Sequence, residues 1–300
     1  MYKINVLKKE LMYKNITFLL FSTLPISIIV GTLLLNLNIV LINLLTLVYC
    51  FHNKFWSWTK NKFFKILVIL YIYLIFNSIF NYLIDKTIGF DGIIRSLSFL
   101  KFILLAFSLN ILINHKDEIS RILTMWFVVI LIVIFDVFFE SFFGHNTLGF
   151  KSLDYTRIVS FFYDENVVGG YLLAFSFIIF AFLINNTNST RSKIFLNIFF
   201  LIIPLSILIT GERSNFIKCI FLFIIILITI KPNFLIINRS KIFIFLTIGI
   251  ALAITFNQNI FIKQTELFKR LLIVNDAKNL KDRFQKIKYF AHYDAAWNIF

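Results

Sequence analysis

Cysteine, proline and glycine are all scarce in this chain, at two, three and nine residues in 300. Acidic residues are sparse as well, 15 against 30 Lys and Arg. Cys50 and Cys219 fall in different apolar segments, near opposite membrane faces in the topology derived below. That placement argues against a disulfide, and two thiols make no metal site. No internal repeat and no low-complexity linker divides the sequence. Scarcity makes the glycine positions informative. Gly89, Gly92, Gly144, Gly149, Gly169, Gly170 and Gly211 fall in or beside gaps between apolar segments, and only Gly31 and Gly249 lie within segments. Glycine there serves tight turns or close backbone approach to a ligand, unless those gaps are simply longer. Pro204 sits inside an apolar segment and is expected to kink it.

What is abundant is apolar. Hydrophobic residues make up 59% of the chain, Phe alone 40 residues, and the mean hydropathy is +0.86. These values exclude an ordinary soluble domain. Nine apolar blocks follow one another: Ile16 to Leu35, Leu37 to Phe51, Phe63 to Ile84, Ile93 to Ile113, Ile119 to Phe143, Val167 to Ile184, Ile194 to Ile209, Phe216 to Ile230 and Ile242 to Phe256. Most have about the length needed to cross a bilayer. A net charge of +15 would suggest nucleic acid in a soluble protein, but here the basic residues sit where topology needs them. Alternate gaps hold Lys3, Lys8, Lys9 and Lys14; Lys54, Lys60, Lys62 and Lys65; Lys116 and Arg121; Arg191 and Lys193; Lys231, Arg239 and Lys241. The intervening gaps hold only Lys86, Lys151, Arg157 and Arg213. The positive-inside rule then puts the N-terminus in the cytoplasm and the C-terminal tail outside. The N-terminal apolar run is too long for a signal peptide and lacks a cleavage site, so it reads as a retained first helix.

The expected fold is an all-α polytopic transmembrane bundle of about nine spans over residues 1–256, with an external basic tail over 257–300. Phe284, Ile287, Ala291 and Ala295 recur at helical spacing in that tail, an amphipathic stripe suited to a bilayer surface. The chain stops at Phe300 without a cap or a polar break, so the tail is expected to be the start of a larger external loop.

Charges inside spans are costly and usually face protein or water. Arg95 and Lys101 lie in the fourth block, Asp136 and Glu140 in the fifth. Asp136 and Glu140 are four apart and share a helix face. Helical rise matches Lys101 in depth with Asp136, and Arg95 with Glu140. At least one of these cross-helix ion pairs is expected to form. They either lock two helices together or line an outward cavity for a polar head group.

Two external segments stand out. One runs from Thr156-Arg157 through Phe161-Phe162-Tyr163-Asp164-Glu165-Asn166 to Gly169-Gly170. Asp164, Glu165 or Asn166 suits the N-terminal cap of the helix that follows. The other is the short turn Thr210-Gly211-Glu212-Arg213-Ser214-Asn215. Arg213 is held there at the membrane boundary, where a guanidinium can grip a phosphate with two hydrogen bonds, or can pair with Glu212 or an interfacial phosphate.

These segments carry a resemblance. TRIVSFFYDENVVGGYLL resembles the R-x-x-G/S-F-F-x-[DE]-x-N-x-x-G-x-Y-L stretch of the bacterial O-antigen ligase and polymerase family. ITGERSNFIKCIFLFIIILI resembles that family's TG-[ES]-R-[SG] turn and following span. The likeness covers most of the chain from about Ile93 onward. It implies an inner-membrane, metal-independent glycosyltransferase that needs no cofactor. The donor would be a glycan on undecaprenyl diphosphate, and the acceptor a sugar or the lipid A core; nucleic acid plays no part. Arg157 and Arg213 would hold the donor diphosphate, with Arg283, ahead of Trp297 in the tail, as a further arginine. Asp164, Asn166, Arg95 and Lys101 are further substrate-binding candidates. Glu165 and Glu212 are the carboxylates placed to act as catalytic groups. The family's tail continues through a Gly-x-Gly turn to a histidine. His292 stands too early to match it and His145 lies in another loop, so the catalytic base is either one of the carboxylates Asp164, Glu165 and Glu212 or a residue beyond Phe300. A transporter or flippase of a lipid-linked saccharide is the alternative expectation, and a partner-binding membrane scaffold a third.

Overall fold

The computed structural model describes residues 2–84, 90–113, 116–152, 157–163, 167–185, 190–229 and 239–256. Among the described residues the chain is helical, with no strand. The amphipathic stripe expected in the tail lies outside them. The helices are α1 (Tyr2–Ser22), α2 (Leu24–Val30), α3 (Thr32–Asn53), α4 (Lys62–Ile84), α5 (Asp91–Ser98), α6 (Leu100–Leu112), α7 (Lys116–Phe143), α8 (Val168–Asn185), α9 (Thr190–Ile209), α10 (Arg213–Thr229) and α11 (Arg239–Phe256). They belong to two compact units, Met1–Val129 and Ile130–Phe300, with α7 contributing to both.

Five stretches are long and apolar enough to cross a bilayer: α3, α4, the pair α5–α6, α7 and α8. The pair α1–α2, bent by 43°, makes a sixth if it counts as one span. α9 adds a shorter apolar stretch, Lys193–Ile209. Length and composition thus give five to six spans among the described residues, where the sequence blocks suggested about nine, and they point to a membrane-embedded protein.

In the first unit the first two apolar blocks are divided at Gly31 rather than near Asn36. Gly31 takes φ 129° and ψ 175°, a conformation open to glycine and strained for any other residue. Just before it, Ser22 Oγ donates to the Phe18 carbonyl at 2.6 Å and Thr23 Oγ1 to the Leu19 carbonyl at 2.9 Å. Such back-bonding bends helices, and the bend between α1 and α2 falls at Thr23.

Asn36 therefore lies inside α3, on the face that meets α6. Asn36, Ile39, Asn43, Thr46 and Cys50 repeat at heptad spacing, the pattern of a helix–helix seam. Lys101 Nζ donates to Asn36 Oδ1 at 2.6 Å, Asn43 Nδ2 to the Lys101 carbonyl at 2.9 Å, and Thr46 Oγ1 to Ser108 Oγ at 2.9 Å. Between lipid-solvated helices the hydrophobic effect gives no drive to associate, so such side-chain bonds and close packing carry the contact. α1 is tied to α7 by the Lys14–Glu118 ion pair at 3.2 Å and by Trp126 Nε1, which donates to the Phe21 carbonyl at 2.8 Å.

In the second unit α8, α9 and α10 share an aromatic core. Phe200 of α9 lies 4.6 Å from Phe180 of α8 and stacks at 4.0 Å on Phe223 of α10, between ring centres. α11 closes on α9 at Gly249, where a Cβ would come within 3.0 Å of Leu205 Cδ1. α9 runs through Pro204 as a continuous helix.

Candidate functional site

The site is built on the end of α7. Asp136 and Glu140 sit one turn apart on the same face, as their spacing predicts, and both are buried, at 0% and 5% exposed. Gly144 ends the helix: its φ is 73° and its N–H returns to the Glu140 carbonyl at 2.8 Å, a left-handed closure that glycine adopts without strain. The chain then folds back over the two acids. Asn146 organises the reversal. Its Oδ1 accepts the N–H groups of Leu148 at 3.0 Å and Phe150 at 2.8 Å, while its Nδ2 donates to the Ser160 carbonyl at 2.7 Å.

Ser160 fastens this loop to both acids. Its N–H donates to Glu140 Oε2 at 2.6 Å and its hydroxyl to Asp136 Oδ2 at 2.6 Å. Val159 N–H reaches Glu140 Oε1 at 3.3 Å, and Thr147 gives its N–H at 2.8 Å and its hydroxyl at 2.7 Å to Asp136 Oδ1. Carboxylates buried this deeply are costly unless donors surround them, and here the loop supplies the donors.

The expected ion pairs join residues of the two units, and each residue has its own surroundings within its unit. Asp136 and Glu140 are satisfied by loop donors, Lys101 by Asn36, and Arg95 is exposed on α5.

The same loop delivers Arg157 to the second motif. Ile158 N–H donates to the Thr210 carbonyl at 3.4 Å. Thr210 lies in the turn between α9 and α10, closed by the Gly211 N–H on the Leu208 carbonyl at 3.1 Å with Gly211 at φ 77°. Two residues later the Glu212 carboxylate crosses to α8. Oε1 accepts the Gly169 N–H at 2.6 Å and Oε2 the Gly170 N–H at 3.2 Å, and Asn215 Nδ2 completes the set. Glu212 thus caps the second and third residues of α8, where free N–H groups and the positive end of the helix dipole favour an anion. The cap comes from 43 residues away in sequence.

Gly169 permits this approach, since a Cβ there would lie 2.9 Å from both Glu212 Cδ and Thr210 Oγ1. Arg157 and Arg213, both half-buried, flank these links by one residue each. Beneath the turn, α8, α9 and α10 line a small apolar cavity that includes Ser176, Pro204 and Cys219. Ser176 Oγ is buried there with no hydrogen-bond partner among the described residues.

Of the residues singled out in the sequence, Arg157, Glu212 and Arg213 come together. Arg95 and Lys101 belong to the other unit. Asp164, Glu165, Asn166 and Arg283 lie outside the described residues. The sequence reading missed Asn146, Thr147, Ser160 and Thr210. Asn146 three residues before Gly149 is a legible turn signal, whereas nothing local marks Ser160. Among the described residues no group of three or more His, Cys, Asp or Glu side chains is placed to hold a metal ion. In comparisons with known proteins, the chain matches no family model, no curated protein and no solved structure.

Proposed function

We propose that this protein is a membrane glycosyltransferase of the O-antigen ligase or polymerase type. In this reading it crosses the bacterial inner membrane nine times with a cytoplasmic N-terminus. It moves a glycan from an undecaprenyl diphosphate carrier to a sugar hydroxyl, of lipid A core or of another repeat unit, at the outer face. The observation that carries the proposal is the joining of two arginine-bearing segments that are far apart in sequence: Ile158 bonds to Thr210, and Glu212 to Gly169 and Gly170.

Arginines carried on two joined segments at a membrane boundary suit a lipid diphosphate. Their fixed charge would stabilise the negative charge that develops on the leaving diphosphate. The acceptor oxygen attacks the anomeric carbon, the bond from that carbon to the diphosphate oxygen breaks, and the hydroxyl proton passes to a base. Asp164 and Glu165, which follow Arg157 in the sequence, are the candidates for that base. Glu212, with both oxygens engaged by three donors, is better suited to positioning than to proton transfer.

The test is substitution at the native locus. Arg157→Ala or Arg213→Ala is expected to abolish long-chain surface polysaccharide while protein abundance holds, with the lipid-linked donor accumulating on the outer leaflet. Unchanged polysaccharide ladders in both variants would defeat the proposal.

A further inference from the structure

The loop between α3 and α4 is built in a way that the transfer chemistry does not use. Lys54, Lys60, Lys62 and Lys65 are all exposed, within twelve residues of one another, and no Asp or Glu occurs between Glu10 and Asp85. Among the described residues none of the four has an acidic partner. Glu118, an acid at the start of α7, is taken by Lys14 at 3.2 Å.

The loop is also well braced. Lys54 turns the chain out of α3 at φ 53°, and Phe55 N–H bonds back to the Cys50 carbonyl at 3.0 Å. Thr59 Oγ1 donates to the Trp56 carbonyl at 2.8 Å, and Asn61 Oδ1 accepts the Phe63 N–H at 2.8 Å. Trp56 packs edge-on against Phe51 at 4.9 Å and stacks with Trp58 at 6.2 Å; Trp58 in turn meets Phe64 at 4.9 Å and Phe107 of α6 at 5.7 Å. Both flanking helices are long and apolar enough to cross a bilayer, so the loop stands at a membrane face. Paired indoles suit the headgroup level of that face, and the braced lysines beside them have no acidic partner among the described residues.

We propose that this loop is a binding surface for the phosphate headgroups of anionic phospholipids in the leaflet it faces. Clustered lysines next to a membrane-spanning helix attract acidic lipid, each contributing appreciably while salt is low. The Trp56–Trp58 stack, packed on Phe107, sets the depth at which the ammonium groups meet the phosphates. The inference does not depend on the transferase reading, and it holds for either orientation of the chain.

The experiment uses the full chain with Trp126→Phe and Trp297→Phe, leaving Trp56 and Trp58 as reporters, in phosphatidylcholine vesicles. Brominated phosphatidylglycerol or brominated phosphatidylcholine is titrated in, and tryptophan quenching is recorded. The expected result is half-quenching at an at least about fivefold lower mole fraction of the anionic lipid at low salt. The preference should vanish near 1 M salt, where the screening length falls to about 3 Å. Replacing all four lysines by Gln should remove the preference and replacing them by Arg should keep it. Identical quenching by the two lipids at low salt overturns the proposal, and so does a folded Gln variant that retains the preference. If the Gln variant does not insert, the salt dependence of the parent chain decides.

Discussion

At the scale of single residues, close approach matters more than side-chain chemistry. Gly169 and Gly170 are neighbours with different tolerances. A Cβ at Gly169 would meet Glu212 Cδ and Thr210 Oγ1 at 2.9 Å, whereas one at Gly170 would meet Asn215 Nδ2 at 3.3 Å. Gly169→Ala should therefore destabilise by about 1–3 kcal/mol through overpacking. Gly170→Ala should be near neutral, because the strain is offset by roughly 1 kcal/mol of helix propensity. Thermal unfolding in detergent separates the two, and equal midpoints would contradict the cap geometry. Ser176 gives the opposite case. Its hydroxyl is buried without a partner, so Ser176→Ala removes a desolvated polar group and should leave the midpoint unchanged or raise it.

At the scale of elements, the loop over α7 is held by donors converging on two acids rather than by packing of its own. Asp136→Asn or Glu140→Gln keeps the shape but replaces half of each charged acceptor with a donor. Each charge-assisted bond lost is worth about 1.5–3 kcal/mol, so the loop should open at least about tenfold more often. Trypsin cleavage after the exposed Lys151 reports that opening, and cleavage at the parent rate in both variants would show that the acids do not hold the loop. The shared helix face of Asp136 and Glu140 was legible from their spacing. Their partners were not, because hydrogen bonds to backbone N–H groups leave no mark on side-chain identity. The α3–α6 seam is intermediate: its heptad of Asn36, Asn43 and Thr46 stands in the sequence, but the division at Gly31 had to be seen before those residues could be placed inside one helix.

At the scale of the whole molecule, the two cysteines are both buried and free and fall in different units. Maleimide should label neither in the folded protein and both after denaturation, with no disulfide species before reduction. Fast labelling of either thiol in the native state would contradict the burial. The proposed topology adds a second test. Lys60→Cys should be labelled only after the cells are permeabilised, and Ser214→Cys should be labelled in intact cells. Labelling of both from the same side would remove the outer-face site.

Sequence alone determined that the chain is helical, apolar enough for a membrane and charged in alternating gaps, because those properties follow from residue type and period along one strand of chain. It also marked the two arginine segments. Only the tertiary structure decided that these segments meet, that Glu212 caps α8 from another turn, and that the acids of α7 take their donors from the loop that follows. The physical reason is that a buried charge takes whichever donors the folded backbone brings within reach, and side-chain identity along the chain does not record which those are.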